Sequence, residues 1–349
     1  MQLRENQLLA PFTTFGIGGL ARWFVEATNE EEIAQASEWA RGRGVPLFVL
    51  GGGSNVLVAD AGFNGLVLHV GLKGTERDSE VFRVAAGEDW DNCVEQTLGV
   101  NCAGLECLAG IPGTVGGTPV QNVGAYGQEV ASVIERVRAF DREAREFVEF
   151  GAADCGFAYR RSRFNSMDRG RYVVTRVDYR LRPNGSPQIS YQDLKGHFES
   201  WTKTPSLAEV ASAVRGIRRS KGMLLVEGDQ DCRSAGSFFK NPAVAQDVAE
   251  RMQKVAQECG APVRFFPAAD GLVKIPAAWL IEQAGFTKGY TMGAAGISSR
   301  HTLALINSGD ARGGATATEI LALAEKIVAA VEARFGILLE REPELVGFT

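Results

Sequence analysis

Residues 104–129 read GLECLAGIPGTVGGTPVQNVGAYGQE. Glycine stands at 110, 113, 116, 117, 124 and 127 and proline at 112 and 119, far too much of both for a helix. A segment this long and this poor in charge is costly as a mere connection. It needs something to wrap around, and a large uncharged ring with amide-like edges fits. A second glycine-rich loop, GGGSN at 51–55, lies between the apolar runs VPLFVL (45–50) and VLVAD (56–60). Without side chains, successive backbone N–H groups can close on a phosphate, and Ser54 and Asn55 add donors. Taken alone, that loop reads more readily as a plain turn, and the longer loop shifts the balance. The Rossmann fingerprint is absent, because GGGSN enters a strand rather than a helix, and no lysine follows at P-loop spacing.

The surrounding pattern is α+β. Thr28, with Glu31 three residues on, signals a helix to about Gly44, and a further helix is expected over 89–100. Strands are expected at 65–71, at 81–87, as a hairpin around Asp141 and over 171–182. A Ser206/Glu209 box opens a helix to about Ser220, and helices follow at 244–259, 276–284 and, from a Thr316/Glu319 box, 317–335. The polar, acidic stretch 222–236 reads as a domain boundary, Ser237 begins a short buried strand, and short strands broken at Pro343 close the chain.

A chain of 349 residues is expected to form two or three domains. A net charge of -5 without a basic stripe argues against a nucleic-acid partner. The N-terminus is too polar for a signal peptide and no apolar run approaches a membrane span, so a cytoplasmic protein without a membrane partner is expected. The six cysteines include no CxxC pair and there are three histidines, so no metal site is expected and the thiols should be reduced.

Six segments occur in a telling order: FGIGGLAR (15–22), GGGSNVLV (51–58), GIPGTVGGTPVQNVGAYGQE (110–129), CGFAYRRSRF (155–164), GSFFKNP (236–242) and REPELVG (341–347). Over nearly the whole chain this closely resembles the bacterial UDP-N-acetylenolpyruvoylglucosamine reductase (UDP-N-acetylmuramate dehydrogenase) family. The resemblance implies an FAD-binding fold of the vanillyl-alcohol-oxidase type in two subdomains, plus an α+β substrate domain. Residues 1–70 would form the first subdomain, joined by the C-terminal strands 337–349, residues 71–222 the second, and 223–336 the domain for the UDP-sugar. It implies non-covalent FAD, NADPH as co-substrate, a monomer, and hydride transfer to the enolpyruvyl group that yields a peptidoglycan precursor.

It also implies residue roles. Gly51, Gly52, Gly53, Ser54, Asn55, Gly110, Ile111, Pro112, Gly113, Thr114, Gly116, Gly117, Gln121, Asn122, Gly124 and Ala125 would hold FAD. Arg160 would clamp the substrate carboxylate, Ser237 would donate the proton, and Glu344 matches the family carboxylate. A carboxylate beside a substrate carboxylate is repulsive unless protonated, and burial and like charge both raise its pKa, so a neutral, hydrogen-bond-donating Glu344 is expected; Glu340 and Glu342 lie close by, and spacing does not choose among the three. Tyr159, Lys221, Asn241 and His301 match substrate contacts, and Tyr191, in SYQDL, resembles a tyrosine-bearing loop of one branch that closes over substrate. Two other readings stay open at this point: an alcohol or aldonolactone oxidase on the same flavin fold, and a catalytically inactive UDP-sugar-binding protein. A histidine near the phosphate loop, by which many such oxidases attach flavin, is missing from both glycine loops.

Overall fold

The computed structural model describes residues 1–309 and 313–348, so 310–312 of the expected 223–336 domain and Thr349 of the expected C-terminal strands lie outside the description. The chain divides into two compact units. The first comprises Met1–Leu8, Leu20–Gly53 and Gly62–Ser220; the second comprises Leu9–Gly19, Ser54–Ala61 and the chain from Lys221 onward.

In the first unit, a four-stranded sheet is ordered Leu3–Leu8, Leu20–Ala27, Phe63–Val70, Leu47–Leu50. Strand Phe63–Val70 runs parallel to both of its neighbours. Its unbroken buried run over 65–68 is what a parallel strand covered on both faces requires. Helix α1 (Glu30–Gly42) buries Ile33, Ala36, Ser37 and Ala40, one stripe at helical spacing. Its cap is Asn29, whose side chain accepts from Glu32 N, one residue beyond the expected Thr28/Glu31 pair. Two good capping residues stand side by side here, and Thr28 instead donates its own N–H and hydroxyl to Glu32.

A five-stranded antiparallel sheet is ordered Glu146–Gly151, Ile134–Asp141, Tyr172–Arg180, Val81–Ala85, Thr75–Asp78, and so contains the expected hairpin and long strand. Helix α2 (Trp90–Gly99), short α3 (Gln192–Phe198), which the pattern did not announce, and α4 (Leu207–Ser220) complete the unit. One hydrophobic core runs through it from Val25, Ile33 and Leu66 to Val84, Val177 and Val214. Glu30 ties α1 to the five-stranded sheet by accepting from Arg138 at 2.8 and 3.0 Å and from the Thr175 hydroxyl at 2.8 Å. Both sheets therefore belong to one compact body.

The second unit has its own core around Phe15, Leu57, Phe238, Phe239, Leu305, Leu323 and Ile327. It holds α5 (Gln246–Glu258), α6 (Ala277–Gln283), α7 (Ala317–Phe335) and an antiparallel sheet of Thr291–Met292, Ala295–Ile297 and Leu305–Asn307. The C-terminal strand Glu344–Val346 runs parallel to Val56–Val58. The expected link between the chain's end and its first seventy residues is thus a strand pair inside this unit. Helix α7 starts at the reciprocal Thr316/Glu319 box. Asp60 adds a second cap, accepting from Ala317 N at 2.7 Å, Thr318 N at 3.0 Å and the Thr318 hydroxyl at 2.7 Å. Replacing Asp60 by Ala strips these donors of a partner at the positive end of a long helix, which costs about 1–2 kcal/mol. Urea unfolding should show a lowered midpoint for Asp60→Ala and a smaller loss for Asp60→Asn; an unchanged midpoint for both contradicts this capping role.

Candidate active site

The first unit brings the two glycine loops into backbone contact. A Cβ built on Gly52 would lie 2.5 Å from Gly113 Cα, and one on Gly51 would lie 2.8 Å from Thr114 Oγ1. On the far side, a Cβ on Gly116 would lie 2.6 Å from the Ala86 Cβ. The long loop is pinned there by Trp90 N to Gly113 O at 3.1 Å, Val115 N to Glu88 O at 2.9 Å and Gly116 N to Ala86 O at 2.8 Å. The N–H groups of Gly52, Gly113 and Thr114 donate to nothing among the described residues. A Cβ on Gly117 would meet only open space. Bare backbone donors on touching loops are a diphosphate cradle, so these residues fit a dinucleotide.

Two further features of this site were missed in the sequence. Arg218, only 8 % exposed, donates from Nε to Gly110 O at 2.9 Å and shares a hydrogen bond with Tyr126. Burial holds its pKa below the usual arginine range. Asp91 accepts from Gly110 N at 2.6 Å and from Arg215 at 2.7 and 3.2 Å. A signal existed: Arg218 continues the buried stripe of Ala211 and Val214 on α4, where an arginine is out of place unless it has work inside.

Arg160 is half-buried and takes φ +54 at the third position of the Ala158–Arg161 turn, which Arg161 N closes onto Ala158 O at 3.1 Å. A β-turn with one positive φ there wants glycine or asparagine, and an arginine costs on the order of 1 kcal/mol of strain. Tyr159, beside it, is exposed. Tyr191 stands exposed at the start of α3 with its ring edge-on to Tyr126, 5.5 Å between centroids. The Asn122 side chain is committed within the protein, its Nδ2 donating to Glu129 Oε2 at 2.9 Å and Ala158 O at 3.0 Å and its Oδ1 accepting from Ala131 N at 3.1 Å. The expected amide contact from Asn122 to a cofactor therefore has no donor left to make it.

The second unit gathers the other candidates. No strand begins at Ser237; Ser234 and Phe239 make single bridges to Ile306 and Arg341. The serine is half-buried, behind Gly236 at φ +71 and ahead of the fully buried rings of Phe238 and Phe239, 5.4 Å apart. Phe238 N donates to Leu303 O at 2.8 Å, and Phe238 O accepts from Glu342 N at 2.9 Å. Asn55 Nδ2 donates to Glu342 O at 3.3 Å, and Asn55 O accepts from Glu344 N at 3.0 Å. Glu344 is exposed rather than buried, because it opens a two-stranded edge. Glu340 pairs with Lys240 at 2.5 Å. Asn241 Oδ1 accepts from Ala277 N at 2.9 Å, fixing the side chain, and its Nδ2 donates to nothing among the described residues. Arg300 pairs with two carboxylates of the acidic connection, Asp231 at 2.7 Å and Asp229 at 2.5 Å. Next to it, the pKa of His301 is pushed down to about 4, by burial first and then by Lys221 and Lys288.

Touching glycine loops with bare backbone donors define a dinucleotide-binding protein, and the comparisons name the dinucleotide. Residues 21–147 match the family described as FAD binding domain, and 228–346 match "UDP-N-acetylenolpyruvoylglucosamine reductase, C-terminal domain". The chain has the fold of an FAD-binding oxidoreductase. It is 45 % identical over 346 residues to the UDP-N-acetylenolpyruvoylglucosamine reductase of Streptomyces coelicolor, covering 97 % of this chain and 89 % of that one. The Thermobifida fusca enzyme of the same name is 46 % identical over 355 residues, covering 99 % and 98 %. The crystal structure of the Thermus caldophilus reductase superposes with a TM-score of 0.67 at 26 % identity, covering 99 % of this chain and all of that one. The chain belongs to the UDP-N-acetylenolpyruvoylglucosamine reductase family.

Gly52→Ala would force the loops apart, backbone against backbone, and is expected to weaken FAD binding at least about tenfold, read by fluorescence titration of the apoprotein; unaltered affinity contradicts the cradle. For His301, the folded-state pKa lies below the unfolded one, so its contribution to stability is full above the ordinary histidine value and is lost as pH falls to about 4. His301→Asn should flatten that part of the decline in urea midpoint from pH ~6.5 downwards. An equal decline in both proteins contradicts it.

Proposed function

We infer that this chain is the FAD-dependent enzyme that reduces UDP-N-acetylglucosamine enolpyruvate to UDP-N-acetylmuramate with NADPH, a step that makes a peptidoglycan precursor. One observation carries the reading: the bare backbone donors of the touching glycine loops lie in a chain that matches named reductases from end to end. No helix among the described residues is long and apolar enough to cross a membrane, and a reaction on NADPH and a nucleotide sugar belongs in the cytoplasm.

FAD, when bound, supplies the hydride relay from NADPH to the terminal vinyl carbon. The chain's own residues handle the charge and the proton. Hydride arriving at the terminal carbon leaves an electron pair on the carbon bearing the carboxylate, spread into that carboxylate. Arg160 holds the carboxylate with two parallel charge-assisted hydrogen bonds. Ser237 delivers its hydroxyl proton to the carbon, and Glu344 completes the catalytic set. A serine hydroxyl is a weak acid, so the basicity of that carbon and a neighbouring cation, assigned to Lys221, are both needed. Tyr159, Asn241 and His301 are assigned to the UDP-sugar, with Tyr191 closing over it. The fixed Asn241 amide and the neutral imidazole of His301 support these contacts.

Two half-reactions test the proposal. NADPH should bleach the bound flavin, and UDP-N-acetylenolpyruvoylglucosamine should restore its colour; a flavin that NADPH bleaches and the sugar nucleotide leaves bleached overturns the assignment. Ser237→Ala is expected to leave flavin reduction nearly intact and to slow reoxidation by about 100- to 10,000-fold. Equal losses in both half-reactions would make Ser237 structural.

A further inference from the structure

The strained turn that carries Arg160 is stapled to the long glycine loop. Besides its main-chain closure, three side chains hold it. Asn122 Nδ2 donates to Ala158 O at 3.0 Å, and the Ser162 hydroxyl donates to Val120 O at 2.6 Å. Asn165 Nδ2 donates to the carbonyl of Arg160 itself at 3.2 Å, while its Oδ1 accepts from Ser162 N at 2.9 Å. The first two cross from the turn to residues 120–122 of the loop. Asn122 and Ser162 are 2 % and 0 % exposed, so both donor side chains are shielded from water. Asn122 sits at φ +46, and its whole side chain is spent on this junction, with Glu129 and Ala131 as its other partners. Asn122 and Arg160 both take positive φ, and the Asn122 side chain bonds the carbonyl of Ala158, the residue that opens the Arg160 turn. Strain of this kind persists only where the surroundings over-determine the backbone.

We propose that Asn122 and Ser162 are positioning residues that strap the Arg160 turn to the glycine loop and so fix where its guanidinium is presented. The inference rests on the reading that Arg160 holds the substrate carboxylate and the loop holds FAD. Its consequence is selective. Loosening the strap moves Arg160 without removing it, and misplacement of a clamp by about 1 Å can cost up to roughly a hundredfold in rate. The half-reaction with NADPH has no carboxylate for Arg160 to clamp.

The test uses the FAD-loaded enzyme as Asn122→Gly and Ser162→Ala, each alone and combined with Arg160→Ala. Glycine keeps the left-handed backbone at 122 and removes the strap together with the bonds to Glu129 and Ala131, which Ser162→Ala leaves in place. Each single variant should be reduced by NADPH within about threefold of wild type and be reoxidised by UDP-N-acetylenolpyruvoylglucosamine at least about tenfold more slowly, with a raised KM. In the Arg160→Ala background the same changes should add less than about twofold, since residues acting through one group do not add. In the apoprotein, the Arg161 amide that closes the turn should exchange its hydrogen about tenfold faster in either variant. Equal slowing of both half-reactions, full additivity with Arg160→Ala, or unchanged exchange at Arg161 overturns the proposal. Should Asn122→Gly fail to fold, Ser162→Ala carries the same comparison. A wild-type enzyme that the sugar nucleotide does not reoxidise would overturn the function assigned above, and the exchange measurement then decides the strap by itself.

Discussion

The approach of Gly52 to Gly113, closer than any side chain permits, is the contact on which the first unit's chemistry depends. Two loops from different parts of the chain touch through bare backbone, and the N–H groups of Gly52, Gly113 and Thr114 are not spent on other described residues. Everything around them keeps that arrangement. Asp91 and Arg218 hold Gly110 from its two polar sides, and the 86–90 segment holds Gly113, Val115 and Gly116. The unit's single core, running beneath both sheets, makes this a fixed surface rather than a loop that must fold around its cofactor.

In the second unit the fixed element is a pair of phenylalanines. Phe238 and Phe239 are sunk in the core, and the backbone of Phe238 is bonded on one side to Leu303 and on the other to Glu342. Ser237 therefore sits on a rigid base although it belongs to no strand. Elsewhere in this unit Arg300 bridges Asp229 and Asp231 of the acidic connection, and burial, with the cations Lys221 and Lys288, keeps the His301 imidazole neutral.

Local signals in the sequence translated well. The Ser206/Glu209 and Thr316/Glu319 boxes start their helices where expected, because a cap is decided within four residues. Asn29 displaced Thr28 by one position because both can cap. The long glycine loop is irregular, as its composition requires. What could not be read was anything that depends on distant partners. Val56–Val58 reads as a strand from its own residues, but nothing local names its partner, Glu344–Val346 at the far end of the chain. Ser237 looked like a strand residue because FF follows it, but its neighbours make single bridges to segments far along the sequence. Asn122 looked like a ligand contact, since an amide in a glycine loop carries no mark of the turn at 158 that claims it.

We propose that the paired glycine loops hold FAD without a covalent bond. The most direct measurement is the absorption spectrum of the purified protein before and after denaturation, with chromatography of what is released. The account predicts a yellow protein that gives up close to one intact FAD per chain. A colourless protein that takes up no added FAD, or a flavin that stays attached to the unfolded chain, would contradict it.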